Sequence, residues 1–472
     1  MSTFWHTVPD DARLIRVTPS PRQLKHSRLQ FYGFIHFTVN TFTDREWGDG
    51  TESPSVFHPT SLDARQWVSA LKSAGMRGLI LTCKHHDGFC LWPSRFTDHS
   101  VASSPFRGGH GDVVREVSDA CHDAGLAFGV YLSPWDRHSQ LYGQGKPYDD
   151  YFVSQLEELL TGYGEIFSVW FDGACGEGPN GKKQVYDWDR YYETVRRLQP
   201  SACISVCGPD VRWCGNEAGQ TRPSEWSVVP LRTRDTEKIQ AKSQQQDDDA
   251  FRARPIRAQD LDLGSRDILR NEPDLIWYPA EVNTSIRPGW FWHEAENAKV
   301  KTLEELLSVY ERSVGGNATF LLNVPPNRDG LIQKEDMERL QEMGNTLRDW
   351  FRENLLASSD CKLQVPGGDG SAENLLCSEN RVLALPEGTC TATWSCKKRI
   401  RLIFLQEAIE CSQRIEQFSL DILSDGTWAE VFHGTTVGSG KIVRLSAEAE
   451  GIRLRVTDSR GEPQMRHIGV YA

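Results

Sequence analysis

A chain of 472 residues exceeds what one ordinary core organises and points to about two domains. With 39% hydrophobic and 25% charged residues it reads as a globular protein, and a net charge of −12 argues against the basic stripe that nucleic acid requires. No apolar run approaches the ~18 residues of a membrane span, so a neutral or weakly charged ligand is expected, with neither nucleic acid nor a membrane as partner.

The N-terminus, Met1 to His6, shows no basic region followed by an apolar stretch. A cytoplasmic location is therefore expected, or a secreted one if a leader once preceded it. The twelve cysteines are then expected to be reduced and mostly buried, because Cys83 with Cys90 and Cys203 with Cys207 lack a paired zinc-ligand spacing. Fifteen Trp and thirteen His are many for this length, and many sit near predicted strand ends. Sugar stacking is one reason for that, ordinary packing the other.

In chain order, apolar strands are predicted at Phe31–Phe37, Gly78–Lys84, Ala127–Ser133, Ile166–Asp172, Cys203–Gly208, Leu275–Glu281 and Thr319–Val324. Helices are predicted at Ala64–Ala74, Val113–Ala124, Asp149–Tyr163, Trp188–Leu198, Leu303–Val314 and Lys334–Phe351. This alternation is that of βα units, and the expected fold is α/β: an irregular (β/α)8-like barrel over residues 1–355. An eighth strand is hard to see, and Glu225–Pro230 is its weak candidate. The polar stretch Arg232–Leu269, with the acidic run Asp247–Asp249, interrupts the rhythm and is expected on the same rim as the reactive groups. Residues 356–472 lack helical patterning. Ile452, Leu454 and Val456 alternate with Arg453 and Arg455, and Phe418, Leu420 and Ile422 repeat the pattern, predicting a C-terminal β-sandwich that buttresses the barrel or binds sugar.

Asp172 closes the run Ile166–Phe171 and precedes Gly173, the position where a parallel barrel carries a reactive carboxylate. Glu217 offers a second carboxylate within a Trp- and Gly-rich loop. Two acids flanked by aromatics are the equipment of a glycosidase. Other strand ends bring His36, Asn40, Glu46 and Trp47, then His85, His86 and Asp87, then Tyr131, then Trp170, and later Trp290 and Trp292. Side-chain alternation places Trp170 on the face of Asp172. Adjacent His85 and His86 are expected to point apart along a strand, which disfavours a shared metal ion, whereas neutral imidazoles suit sugar hydroxyls. No cofactor is expected. Asp210, Glu225, Glu281 and Glu294 compete for the acid role, with Glu281 second to Glu217 and better suited to a supporting hydrogen bond. The loop after Asp172, with Glu177, Asn180 and Lys182, lacks a phosphate-cradling pattern and suits the leaving-group side of a sugar site.

The segments FIHFTVN (Phe34–Asn40), CKHHDGFCL (Cys83–Leu91), VWFDG (Val169–Gly173) and FLLNVPP (Phe320–Pro326) resemble the retaining α-L-fucosidase family of glycoside hydrolases, across nearly the whole chain. RWCGNEAG (Arg212–Gly219), SEWSVVP (Ser224–Pro230) and RPGWFW (Arg287–Trp292) are similar to the branch specific for α-1,3/1,4-linked fucose in Lewis-type oligosaccharides. The resemblance implies an exo-acting hydrolase working by double displacement on a fucosylated oligosaccharide or glycoconjugate. Asp172 would be the nucleophile and Glu217 the acid/base, with carboxyl groups about 5–5.5 Å apart. It further implies that His36, His85, His86 and Tyr131 hydrogen-bond fucose and that Trp47 and Trp292 wall its C5 methyl. Glu46, Trp170 and Trp213 complete the expected substrate-binding set. A non-catalytic fucose-binding protein on the same barrel, and a metal-dependent hydrolase using His36, His85 and His86, are the alternatives.

Overall fold

Strand β1, Phe31–Ile35, is buried along its whole length, the burial expected of a parallel strand covered on both faces. In the computed structural model, which describes residues 11–246, 256, 261–368 and 381–472, it lies at the middle of an eight-stranded sheet. The neighbours on one side are β2 (Gly78–Lys84), β3 (Ala127–Leu132), β4 (Ile166–Phe171) and β5 (Cys203–Val206). On the other side lie β10 (Ala318–Asn323), β9 (Ala280–Ser285) and the two-residue β6 (Arg212–Trp213). All these pairs are parallel, and a bridge from Ser205 to Val211 brings β5 to the segment leading into β6, so the ring is nearly closed. The outer helices begin where side-chain caps meet unpaired backbone donors. Asp63 accepts from Arg65 and Gln66 ahead of Ala64–Ser73, Asp112 accepts from Arg115 ahead of Val113–Ala124, and Thr302 with Glu305 forms a capping box for Leu303–Ser313.

Two sequence expectations change here. The predicted strand Leu275–Glu281 is two strands: β8 (Leu275–Trp277) pairs antiparallel with β7 (Val228–Pro230) in a separate small sheet, and β9 enters the barrel. Pro279 lies between them; it has no N–H to give a ladder and constrains Tyr278, so the run cannot continue as one strand. Glu225–Pro230 is accordingly not the eighth barrel strand. That place goes to β6, too short to show any period in the sequence.

In the stretch Arg232–Leu269, Thr236–Lys242 and Arg266–Leu269 are short helices, while the acidic run Asp247–Asp249 falls outside the described residues. The C-terminal region contains β11 (Lys362–Gln364), β12 (Leu383–Ala384), β13 (Thr389–Glu407), β14 (Ile415–Ser424), β15 (Thr427–Thr435), β16 (Lys441–Ser459) and β17 (Gln464–Tyr471), all antiparallel. The first half of β13 pairs with β11, its second half with β17, and register shifts between Thr393 and Lys398 bend it from one layer of the sandwich to the other. The predicted apolar faces meet directly, Phe418 opposite Val456, Leu420 opposite Leu454 and Ile422 opposite Ile452. They enclose a second core with Ile403, Leu405 and Val470. Asn317, held at φ 65°, fastens this region to the barrel by accepting from the Ser439 N–H and donating to the Glu225 carbonyl. No helix among the described residues is long and apolar enough to cross a membrane.

Candidate active site

A pocket with about 390 Å3 of open space lies at the C-terminal ends of the barrel strands. Its lining comprises Phe34, His36, Trp47, His85, His86, Trp170, Asp172, Ala174, Glu217, Gln244, Asn283 and Trp290. Both candidate carboxylates therefore face one space.

Asp172 follows β4 directly. Its Oδ2 accepts from the Tyr131 hydroxyl at 2.8 Å, its Oδ1 accepts from the Ala174 N–H at 2.8 Å, and His86 Nε2 stands 3.9 Å from Oδ2. Gly173 has a steric reason: a Cβ there would meet Ser243 Oγ at 2.0 Å. The segment after β7 thus reaches over the rim, as expected, and contributes Gln244 to the pocket. Behind the wall, Trp170 stacks on Tyr131 with ring centroids 5.3 Å apart and donates its Nε1–H to Glu281 at 2.8 Å. Glu281 is fully buried, also accepts from the Tyr32 hydroxyl, and has its pKa pushed up to about 7 by burial. It supports the wall and does not line the pocket.

The three histidines are held as neutral rings. Burial lowers His36 and His86 to about 4; burial, with His86 and His36 nearby, holds His85 well below its ordinary value. Ser133 Oγ donates to the Trp135 carbonyl at 2.6 Å and so receives the proton of His86 Nδ1 at 2.7 Å, which leaves Nε2 as an acceptor. Asn323 donates its amide to the Trp290 carbonyl and Ser285 Oγ, so its Oδ1 receives the proton of His36 Nδ1 at 2.8 Å. His36 Nε2 is likewise an acceptor. His85 Nδ1 is buried without a partner among the described residues.

The expectation that His85 and His86 point apart is corrected. Strand β2 ends at Lys84, the chain turns through Gly88 at φ 78°, and both rings line the pocket with centroids 4.1 Å apart. Among the described residues, no three His, Cys, Asp or Glu side chains are grouped to hold a metal ion.

Glu217 lies in the loop after β6. Asn216, fully buried, shapes that loop by accepting from the Ala218 and Gln220 N–H groups, and Gly215 and Gly219 take the positive φ angles it requires. Trp290 Nε1 donates to Glu217 Oε2 at 2.9 Å. The competing acids are engaged elsewhere: Asp210 with Arg22 and Arg196, Glu225 with Arg212 and Arg222, while Glu294 opens the 3-10 turn Glu294–Lys299. Glu177 is exposed, and its carbonyl accepts from Trp135 Nε1.

Four expected contact residues stand just behind the pocket. Tyr131 acts on it through Asp172. Trp213 donates to Asn283 Oδ1 at 3.1 Å. Glu46 accepts the N–H groups of Trp290 and Phe291. Trp292 is 6% exposed, with the Arg328 guanidinium over its ring at 5.8 Å, and the wall facing the cavity is Trp290. RPGWFW shows two Trp on one strand-like face, and nothing in the order of residues says which reaches a ligand. Gln244, Asn283 and Phe34 also escaped the sequence reading, having only ordinary polarity or apolar character as a signal.

The α-L-fucosidase family profile matches residues 22–351. The chain is 40% identical to α-L-fucosidase 1 of Arabidopsis thaliana, over 96% of this chain and 87% of that protein. A Bacteroides ovatus structure described as a candidate α-L-fucosidase superposes with a TM-score of 0.84 at 42% identity, over 99% of this chain and 76% of that one. A Ruminococcus gnavus fucosidase of glycoside hydrolase family 29, solved in complex with fucose, superposes with a TM-score of 0.82 at 30% identity, over 96% and 95% of the two chains. The barrel, its rim pocket with two carboxylates and these likenesses agree, and the chain belongs to the α-L-fucosidase family of glycoside hydrolases.

Proposed function

We propose that the protein is an exo-acting, retaining α-L-fucosidase that removes α-1,3/1,4-linked fucose from branched, Lewis-type oligosaccharides, with residues 1–355 as its catalytic barrel and 356–472 as a buttress. The observation that carries this reading is the contrast between two acids on one pocket. Asp172 accepts two hydrogen bonds suited to a carboxylate, while Glu217 stands on another loop under a Trp N–H. Asp172 attacks the anomeric carbon as Glu217 gives its proton to the departing glycosidic oxygen. Water then attacks the fucosyl ester, losing its proton to Glu217 as the bond to Asp172 breaks. The acceptor nitrogens of His36 and His86 take hydrogen bonds from fucose hydroxyls, and Trp47, Trp170 and Trp290 exclude water around the ring.

The linkage reading is supported by the resemblance of three segments that meet around Glu217. Arg212 and Arg222 clamp Glu225, joining the first two, and Trp290 brings in the third. The first test is the Asp172→Ala variant with external azide: a fucosyl azide of inverted anomeric configuration is expected, and no rescue removes the nucleophile assignment. The second compares Lewis a, Lewis x, an α-1,2-fucosyl sugar and an aryl fucoside under one condition. Fucose release from the first two should dominate, and equal rates on all four would overturn the linkage reading.

A further inference from the structure

We propose that His293 is a positioning residue for the proton donor, aiming Glu217 through Glu46 and Trp290 without itself reaching the pocket. This rests on reading Glu217 as the acid. His293 Nδ1 meets Asp44 Oδ1 and Nε2 meets Glu46 Oε1, each at 2.8 Å. Both ring nitrogens therefore face carboxylates, an arrangement that only the imidazolium satisfies with two donors. The hydrogen bond to Glu46 leads in pushing its pKa up to about 9, against burial, with Asp44 and the charge of Glu296 adding to the rise. Arg328, 3.9 Å from Asp44, is the cation on the far side.

Glu46 passes this constraint on. Its Oε1 takes the Phe291 N–H at 3.0 Å and its Oε2 takes the Trp290 N–H at 2.8 Å, so one carboxylate fixes two consecutive peptide units. Gly289 makes the approach possible, since a Cβ there would meet Glu46 Oε1 at 2.6 Å. With its backbone pinned, and its carbonyl held by Asn323, Trp290 can present Nε1–H to Glu217 in one place. His293 does not line the pocket.

A positioning role makes a prediction that a purely structural role does not. The leaving oxygen of an oligosaccharide needs a proton, whereas fluoride leaves α-L-fucosyl fluoride without one. For His293→Ala, kcat/KM on a Lewis-type trisaccharide should fall about tenfold while the fluoride stays within about twofold. His293→Gln keeps a donor toward Glu46 and should show a smaller split, and it serves as the test should the alanine variant fail to fold. Equal losses on both substrates, or none on the trisaccharide, overturn the proposal. Glu217→Ala is run beside them: if it shows the split and the His293 variants do not, the positioning proposal fails alone, and if it shows none, the acid assignment fails first.

Discussion

The two ends of the barrel differ in a way that size would misjudge. At the N-terminal end, between the starts of β1 and β2 and the C-terminal sheet, is a cleft with about 1470 Å3 of open space, lined by Arg28, Arg77, Arg466 and the rings of Tyr310, Phe351, Phe404 and Tyr471. The C-terminal pocket has about 390 Å3. Yet in the larger cleft the carboxylates are already engaged: Glu407 accepts the N–H groups of Arg414, Ile415 and Gly438, and Glu410 pairs with Arg466. The smaller pocket is lined by neutral histidines, and His85 Nδ1 is buried there without a partner among the described residues. What sets the smaller pocket apart is its chemistry, two carboxylates on different loops beside neutral imidazoles, and not its volume.

The strongest way to break this comparison is to substitute both ends. Asp172→Ala should lower turnover about 10^4-fold or more, on the order of 5 kcal/mol of barrier, while Arg28→Ser in the larger cleft should leave kcat/KM within about twofold. A comparable loss from both would mean that the two ends work together. Next in size is the C-terminal core. Leu420→Ala removes a side chain that is 1% exposed and should cost about 3 kcal/mol in denaturant unfolding, with the activity of the folded fraction unchanged; a kinetic defect in molecules shown to be folded would give the sandwich more than a buttressing part.

The third prediction concerns acid. His36 and His86 have folded pKa values near 4 against 6.5 unfolded. Between these values the unfolded chain binds more protons, so their contribution is present above pH 6.5 and is lost as pH falls toward 4. Each ring should contribute roughly 1 kcal/mol per pH unit across that window. Glu281, raised to about 7, acts with the opposite sign, its protonated form favoured by folding, so part of the slope is offset between pH 4.5 and 7. Unfolding curves at pH 6.5 and 4.5 should show the wild type losing more stability on acidification than His36→Asn; equal losses would show that His36 titrates normally in the fold.

Much of the barrel was legible because its signals are local. The helices Val113–Ala124 and Trp188–Leu198 match their predicted bounds, since cap residues and apolar period mark both ends. Asp172 was legible for the same reason, a carboxylate closing a buried run before glycine. The failures were non-local. Pro279 split a run that looked continuous, and β6 is a strand only because β9 pairs with it. His85 and His86 look like a continuation of β2 in the sequence, although the strand ends at Lys84 and the chain turns there. The choice between Trp290 and Trp292 hangs on Glu46, more than two hundred residues away in sequence.

The order of residues by itself determined the alternation of strands and helices, the β-rich tail, and which carboxylates and histidines stand at strand ends, because periodicity, capping and glycine placement act over a few residues. Only the tertiary structure decided how the ring nearly closes, which face of a loop looks inward, and which buried polar atoms find partners. Those outcomes depend on hydrogen bonds and steric contacts between segments far apart in the chain. Glu217 under Trp290, Trp290 on Glu46, and Glu46 against His293 are set by the packing of the whole rim, and no single segment of the sequence contains them.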